Sequence, residues 1–241
     1  RNPQIDAKEK ELKKIRDNHF SARTPHTKAK WRDADARLRA EISALLKADG
    51  FSRETTEKLA NWNPYDQNTS AGFFDAEWMF GIADGFDVII GNPPYLESRS
   101  PAFADTLKNK LQHAVALRWP NINVADCVPR GSDLLVYFLE TSVCLVNASG
   151  AVVLITQNAW LDTEYGKKFQ AFLLNETHVS LVVDSDFKHF DSSGGPNINT
   201  VVTFFRGKKA APDKQITFVR FHETLQAGFF STSGGDVRVA Q

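Results

Sequence analysis

The most constraining feature of the sequence is a strand segment, residues 151–156, in which nearly every side chain is apolar. This pattern is typical of a strand that is covered on both faces, as in the sheets of α/β proteins. A helix with apolar periodicity is predicted to begin near Ser132, and Gly150 ends it just before the strand. A second helix is predicted over residues 164–174. The sequence therefore predicts alternating strands and helices.

Three further strand segments continue this alternation, and they are residues 86–91, 179–183 and 199–205. Taken in order, the elements predict a partial doubly wound, Rossmann-like α/β sheet that follows an N-terminal helical segment. In sheets of this class, ligands bind at the carboxyl ends of the strands. Residues 97–130 form a polar, irregular segment, which we interpret as a mobile loop over a substrate or as a plain surface excursion.

A rigid polar turn, Asn92-Pro93-Pro94-Tyr95, follows the first of these strands. Asn92 offers a carboxamide oxygen, and the two prolines present carbonyl acceptors without competing N–H groups. Tyr95 supplies a ring face on which a flat group can stack. An exocyclic amine whose two hydrogens meet acceptors here keeps its lone pair on the nitrogen. The turn predicts a site for a planar, amino-bearing group, and the alternative is a proline-stiffened turn with only a structural role.

The turn and its surroundings resemble the amino-methyltransferases, and in particular the adenine-N6 DNA methyltransferases of type IIG restriction-modification and phage-defence systems. The matching features occur in order between Phe86 and Gly207. They are the turn, a helix opening with Asp133-Leu134, an apolar strand, a Trp160-Leu161 segment, and an asparagine-containing approach to the last strand at Asn199. The resemblance implies methyl transfer from S-adenosylmethionine to the N6 amine of adenine in DNA.

The resemblance also implies roles for the residues of the turn. Asn92 and the carbonyl of Pro93 would accept hydrogen bonds from the target amine, and Pro94 would complete the rigid turn. Tyr95 would stack on the adenine after its extrusion from the double helix. No metal would be required, because the sulfonium donor is already activated.

Two further positions receive roles from the resemblance. Phe190 would be a second ring that closes the pocket, with Phe187 as the competing candidate. Asp133 would lie near the pocket mouth or the cofactor. The alternative for Asp133 is that it caps the amino end of the following helix.

The resemblance divides the chain into three regions. Residues 1–62 would be a helical insertion or arm, residues 63–207 the C-terminal half of the catalytic domain, and residues 208–241 a final strand and connector. In the resembled family a glycine-rich turn after an early strand binds most of the cofactor, and residues 1–85 contain no such turn. We therefore expect that motif upstream, in a longer polypeptide of which this chain is an inactive fragment. The expected partners are double-stranded DNA, the missing N-terminal half and a C-terminal target-recognition domain.

Charge is balanced overall, with 29 Lys and Arg against 29 Asp and Glu, but residues 1–62 hold 15 basic and 10 acidic residues. Lys28, Arg32 and Arg39 share one face of a helix that is predicted from Thr24-Pro25 to Asp49-Gly50. The functional interpretation of this face is contact with DNA phosphates. The alternative is an ordinary solvated face of mixed charge.

The sequence has neither a secretory leader nor an apolar run near 18 residues, so we expect a cytoplasmic protein without membrane contact. Other functions stay open at this point. The same turn suits amino-methyltransferases that act on protein glutamine or on guanine in ribosomal RNA. A different class of function is a non-catalytic fragment that only binds DNA.

Overall fold

The computed structural model describes residues 2–66, 68–186, 198–207 and 215–222. The chain divides into two compact units, Arg1–Ala83 and Asp84–Gln241. The division predicted after residue 62 lies within the first unit. The difference arises because Trp62 and Phe73, from the connecting segment, pack on the apolar cluster of the helical unit, and Trp78 is buried in it. No helix in the described part of the chain has the length and apolar character needed to cross a membrane.

The first unit is helical, and its helices are α1 (Pro3–Ser21), α2 (Pro25–Ala48), α3 (Arg53–Asn61) and α4 (Ala76–Phe80). Helix α2 begins and ends where the sequence predicts. The side chain of Thr24 accepts a hydrogen bond from the N–H of Thr27, and Pro25 occupies the first turn, where its missing N–H costs nothing. Gly50 follows with a φ of 92°, which a glycine adopts without strain.

A buried carboxylate organises the helical unit. Asp35 is completely buried, and its Oδ2 accepts from Nε of Arg16 at 3.0 Å while its Oδ1 accepts from Nε of Arg39 at 2.6 Å. Arg16 also donates to the carbonyl of Trp78, and Arg39 donates to that of Ala60. Arg39 is therefore engaged inside the unit, and the interpretation that it contacts DNA phosphates is wrong.

The second unit contains a five-stranded sheet. Its elements are β1 (Phe86–Gly91), α5 (Asp105–Arg118), α6 (Val124–Cys127), α7 (Leu134–Leu145), β2 (Val146–Gln157), a 3-10 helix (Asn158–Leu161), α8 (Glu164–Glu176), β3 (His178–Ser185), β4 (Thr200–Arg206) and β5 (Thr217–Phe221). The predicted α/β fold is confirmed. Helices α5 and α6 occupy much of the segment that was interpreted as irregular. Their formation is favoured because Val115 of α5 and Cys127 of α6 are buried in the core of the unit.

The strand order is β1-β2-β4-β3-β5. Strand β1 runs parallel to β2, and β3 runs parallel to β5, whereas β4 lies antiparallel between β2 and β3. The antiparallel strand was not anticipated from the alternation of strands and helices. Consecutive strands such as β3 and β4 can pair antiparallel without a crossover helix.

The two faces of the sheet differ in burial. On one face, Val152, Val182 and Phe205 are buried in the same core as side chains of α7 and α8. On the other face Val88 is 58% exposed and Ile90 is 77% exposed. On this second face the β2 side chains Val153 and Ile155 are half-buried, so the described residues bury the predicted β2 segment fully on one face only.

Helix α8 begins in close contact with the 3-10 helix. A Cβ on Gly166 would lie 1.9 Å from the carbonyl oxygen of Trp160. Trp160 itself is buried, and its Nε1 donates to Oγ1 of Thr156 at 3.2 Å. This position therefore requires glycine, because the backbone of the buried residue Trp160 cannot move away without disturbing its packing.

We expect Gly166→Ala to lower the free energy of unfolding by about 1–3 kcal/mol, the usual cost of forcing atoms into a packed region. The measurement is chemical denaturation of the 241-residue chain. Lys167→Ala is the matched control, since Lys167 lies next in α8 and makes only an exposed ion pair with Glu164. Equal stability of the two variants would contradict the close contact.

Candidate active site

The polar turn leaves the carboxyl end of β1. Strand β1 ends at Gly91, beside Leu154 of β2, and Asn92 is the first residue beyond it. Asn92 is exposed, Pro93 is buried and Tyr95 is half-buried. Within the described residues the carboxamide of Asn92 makes no hydrogen bond. Its oxygen can therefore accept a hydrogen bond from a ligand.

The two proline carbonyls of the turn are not equivalent. The N–H of Leu96 donates to the carbonyl oxygen of Pro94 at 3.0 Å. The carbonyl of Pro93 has no such donor among the described residues. Burial raises the pKa of Tyr95, so its ring is a neutral phenol near pH 7. Asn92 and Pro93 are thus the acceptors that this turn offers.

A buried carboxylate holds the segment that follows the turn. Oδ1 of Asp133 accepts from the N–H of Ser98 at 2.7 Å, and Oδ2 accepts from the hydroxyl of Tyr165 at 2.7 Å. Asp133 stands at the N-cap position of α7, but its side chain accepts no hydrogen bond from the first turn of that helix. Its carboxylate therefore joins segments that are distant in sequence and does not cap α7.

An open cleft of about 730 Å³ lies beside this segment. Gln157 and Asn158 place it at the carboxyl end of β2, and Asn199 places it at the amino end of β4. The ionisable side chains that line the cleft are three cationic and three acidic ones: Arg99, Lys108, Arg130, Glu97, Asp105 and Asp133. Asn92 and Tyr95 are not among the lining residues; the cleft begins at Glu97, just after the turn.

The structure brings some of the predicted site residues together and not others. The turn and Asp133 meet through Ser98, whereas Phe190 and its alternative Phe187 lie outside the described residues. Sequence reasoning missed Tyr165, because no local pattern marks a hydroxyl that reaches a carboxylate from another helix. Within the described ranges no group of three His, Cys, Asp or Glu side chains could hold a metal ion.

A comparison with protein-family models shows the family of the chain. The model described as the Eco57I restriction-modification methylase matches residues 8–190, which include the turn, Asp133 and Tyr165. The chain belongs to this family. The resemblance to restriction-modification methylases that the sequence indicated is therefore confirmed.

Two relatives of this methylase-family chain are named type II methyltransferases. M.PaeR7I of Pseudomonas aeruginosa is 26% identical over 145 residues, which are 60% of this chain and 22% of the relative. M.BstVI of Geobacillus stearothermophilus is 25% identical over 146 residues, which are 61% of this chain and 23% of the relative. The chain thus matches less than a quarter of the length of either relative.

Solved structures of restriction-modification enzymes are also similar to this member of the methylase family. The type IIG restriction endonuclease BpuSI has a TM-score of 0.45 at 19% identity, over 56% of this chain and 15% of that one. The type IIL enzyme MmeI, solved in complex with DNA, has a TM-score of 0.44 at 16% identity, over 76% of this chain and 23% of that one.

Proposed function

We propose that the complete protein transfers a methyl group from S-adenosylmethionine to the exocyclic N6 amine of adenine in double-stranded DNA, and that this chain carries the amine-binding turn. The observation that carries the proposal is the exposed carboxamide of Asn92. It lies beside the carbonyl of Pro93, to which no described residue donates, at the end of a sheet strand, in a member of a restriction-modification methylase family.

The turn suits a planar amine for an electronic reason. The adenine amine has two hydrogens, and the Asn92 and Pro93 oxygens are two acceptors on one rigid segment. When both hydrogens are bound, the nitrogen lone pair is less delocalised into the ring and can attack a carbon. Tyr95 would stack on the extruded base and partly offset the few kcal/mol that extrusion from the duplex costs.

The described residues fit one side of a cofactor site. S-adenosylmethionine would supply the methyl group as an activated sulfonium. The cleft beside Ser98 and Asp133 is open next to the turn, so a donor bound there would stand near the amine. No strand precedes Phe86 in the described part of the chain, so a strand followed by a glycine-rich turn is not supplied by residues 2–66 or 68–85. We propose that an upstream segment of a longer parent protein supplies it.

The same proposal covers the partners of the parent protein. The parent protein would bind double-stranded DNA. It would read the DNA sequence through a C-terminal target-recognition domain, because contacts to the bases, and not the catalytic turn, specify a site. The relatives support a longer parent, because the matched region is 22% and 23% of their lengths.

The chemistry can be tested with the complete parent protein and unmethylated double-stranded DNA in the presence of S-adenosylmethionine labelled in its methyl group. After digestion to nucleosides, mass spectrometry should find the label in N6-methyladenine. In parallel reactions that offer ribosomal RNA or protein in place of DNA, label in guanine or in glutamine would replace the proposed substrate with one of the alternatives. A protein that binds DNA and transfers no label would favour the non-catalytic function.

A separate titration tests the missing cofactor motif. We expect the 241-residue chain to show no saturable binding of S-adenosylmethionine in isothermal calorimetry, whereas the complete parent binds it. Binding by the 241-residue chain with the affinity of the parent would contradict the proposal that the main cofactor motif lies upstream.

A further inference from the structure

Asp133 connects three parts of the sheet unit. Its two carboxylate oxygens accept from Ser98, in the segment after the turn, and from Tyr165, in the first turn of α8. The residue after it, Leu134, opens α7 and donates its N–H to the carbonyl oxygen of Leu96 at 3.0 Å. The start of α7 therefore holds the exit of the turn through two hydrogen bonds, and α8 holds Asp133 through a third.

We propose that Asp133 and Tyr165 are positioning residues for the amine-binding turn: they fix the place of Asn92 by holding the segment Leu96–Ser98 against the starts of α7 and α8. This inference rests on the proposed function, because it assigns the two residues to the same reaction. It gives Asp133 a role different from direct contact with the cofactor, and it assigns a role to Tyr165.

A continuous set of hydrogen bonds supports the proposal. Leu96 donates to Pro94 within the turn, and its own carbonyl accepts from Leu134. A displacement of α7 would therefore be transmitted to Pro94 through Leu96 alone. Short bonds from a hydroxyl and an amide to an anionic carboxylate are also stronger than bonds between neutral groups.

Burial makes this connection stiff. Asp133 is only 7% exposed, so water does not compete freely for its oxygens. Burial, and the hydrogen bond to Asp133, raise the pKa of Tyr165 above its usual value. The Tyr165 hydroxyl therefore keeps its proton at any pH suited to the assay and always donates.

Two properties argue for positioning over binding. Each Asp133 oxygen already accepts a hydrogen bond from the protein, so part of the acceptor capacity of the carboxylate is used inside the unit. Reaction rates, in contrast, are sensitive to small displacements, and a shift of about 1 Å in a reacting group can lower a rate about 100-fold. Loss of the Asp133 contacts should therefore affect turnover more than cofactor affinity.

The first readout is hydrogen exchange in the 241-residue chain, which needs neither cofactor nor DNA. Asp133→Ala removes the acceptor of the Ser98 amide, so exchange at Ser98 should accelerate by about 10-fold or more, as expected for a locally opened segment. Tyr137→Phe is the matched control. It deletes another hydrogen-bonded tyrosine hydroxyl, which accepts from Gln112 at 2.8 Å in the same unit, and it should leave Ser98 unchanged.

The second readout is steady-state kinetics of the complete parent protein. Asp133→Ala should lower kcat by about 100-fold while the KM for S-adenosylmethionine stays within about threefold. Tyr165→Phe, which keeps the ring and removes only the hydroxyl, should lower kcat by a smaller factor. Asp133→Asn should restore most of the rate, because a carboxamide can still accept from Ser98 and donate to the Tyr165 oxygen.

The outcomes separate this inference from the proposed function. Unchanged exchange at Ser98 in Asp133→Ala, or a raised KM with an unchanged kcat, would overturn the positioning role. If Asp133→Ala does not fold, Tyr165→Phe decides, and a kcat equal to that of the Tyr137→Phe control would overturn the role. If Asn92→Ala retains full activity, the proposed function itself fails, whatever Asp133 does.

Discussion

Asn92→Ala is expected to lower kcat for methyl transfer by the complete parent protein by about 100- to 1,000-fold, the range seen when one preorganised hydrogen-bonding group is removed from a reacting centre. The exposed carboxamide is one of the two acceptors that the turn offers to the amine. Its loss leaves the amine lone pair conjugated with the ring. DNA affinity should hardly change, because phosphate contacts supply most of it.

The measurement is single-turnover transfer of labelled methyl groups, with DNA binding followed separately by fluorescence anisotropy. Asn121→Ala is the control, since Asn121 is an exposed asparagine of the same unit that does not line the cleft. Asn92→Asp keeps an acceptor oxygen and should retain more activity than Asn92→Ala. An Asn92→Ala enzyme as fast as the control would rule out the amine-binding role of the turn.

Asp35→Ala is expected to destabilise the helical unit by about 3–5 kcal/mol, the cost of breaking a buried ion pair by removing one partner. Arg16 and Arg39 would lose their common counter-ion inside the unit. Burial already lowers the pKa of Arg16 despite the attraction of Asp35, which shows how unfavourable the unpaired cation would be.

Hydrogen exchange resolved by peptide is the suitable measurement, because it reports on the two compact units separately. Peptides of α1 and α2 should lose protection in Asp35→Ala, whereas peptides of β2 and β4 serve as an internal reference. The matched control is Glu57→Ala. It also breaks a carboxylate–arginine pair four residues apart on a helix, with Arg53, but both side chains are more than half exposed and the expected cost is at most about 0.5 kcal/mol.

Local sequence patterns predicted the elements that depend on local chemistry. The Thr24-Pro25 start of α2, the glycine after its end and the strand that leads into Asn92 all follow from residues that are neighbours in the chain. The Rossmann-like α/β class followed from apolar strands alternating with helices. The turn could be recognised because two prolines and an asparagine limit both conformation and chemistry.

Long-range contacts explain what the sequence did not predict. Asp35 and Arg39 are four residues apart and visible as a pair, but Arg16 joins them from another helix, so their burial could not be inferred from the helix alone. Helix α5 was missed because its polar surface hides the few buried residues, such as Val115, that hold it to the core. Tyr165 was missed because its partner Asp133 lies 32 residues earlier in the chain, at the start of another helix.

The position of β1 in the sheet has a consequence for the chemistry. In the described sheet β1 is an outermost strand and is hydrogen-bonded to β2 alone. Outermost strands fray at a lower free energy than central ones, because half of their main-chain groups have no ladder partner. Asn92 directly follows this strand. A polypeptide segment that paired with the open edge of β1 in the described sheet would restrain fraying, and it would also hold Asn92 more firmly in its reactive position. Completion of the sheet and gain of catalytic competence would then be a single event.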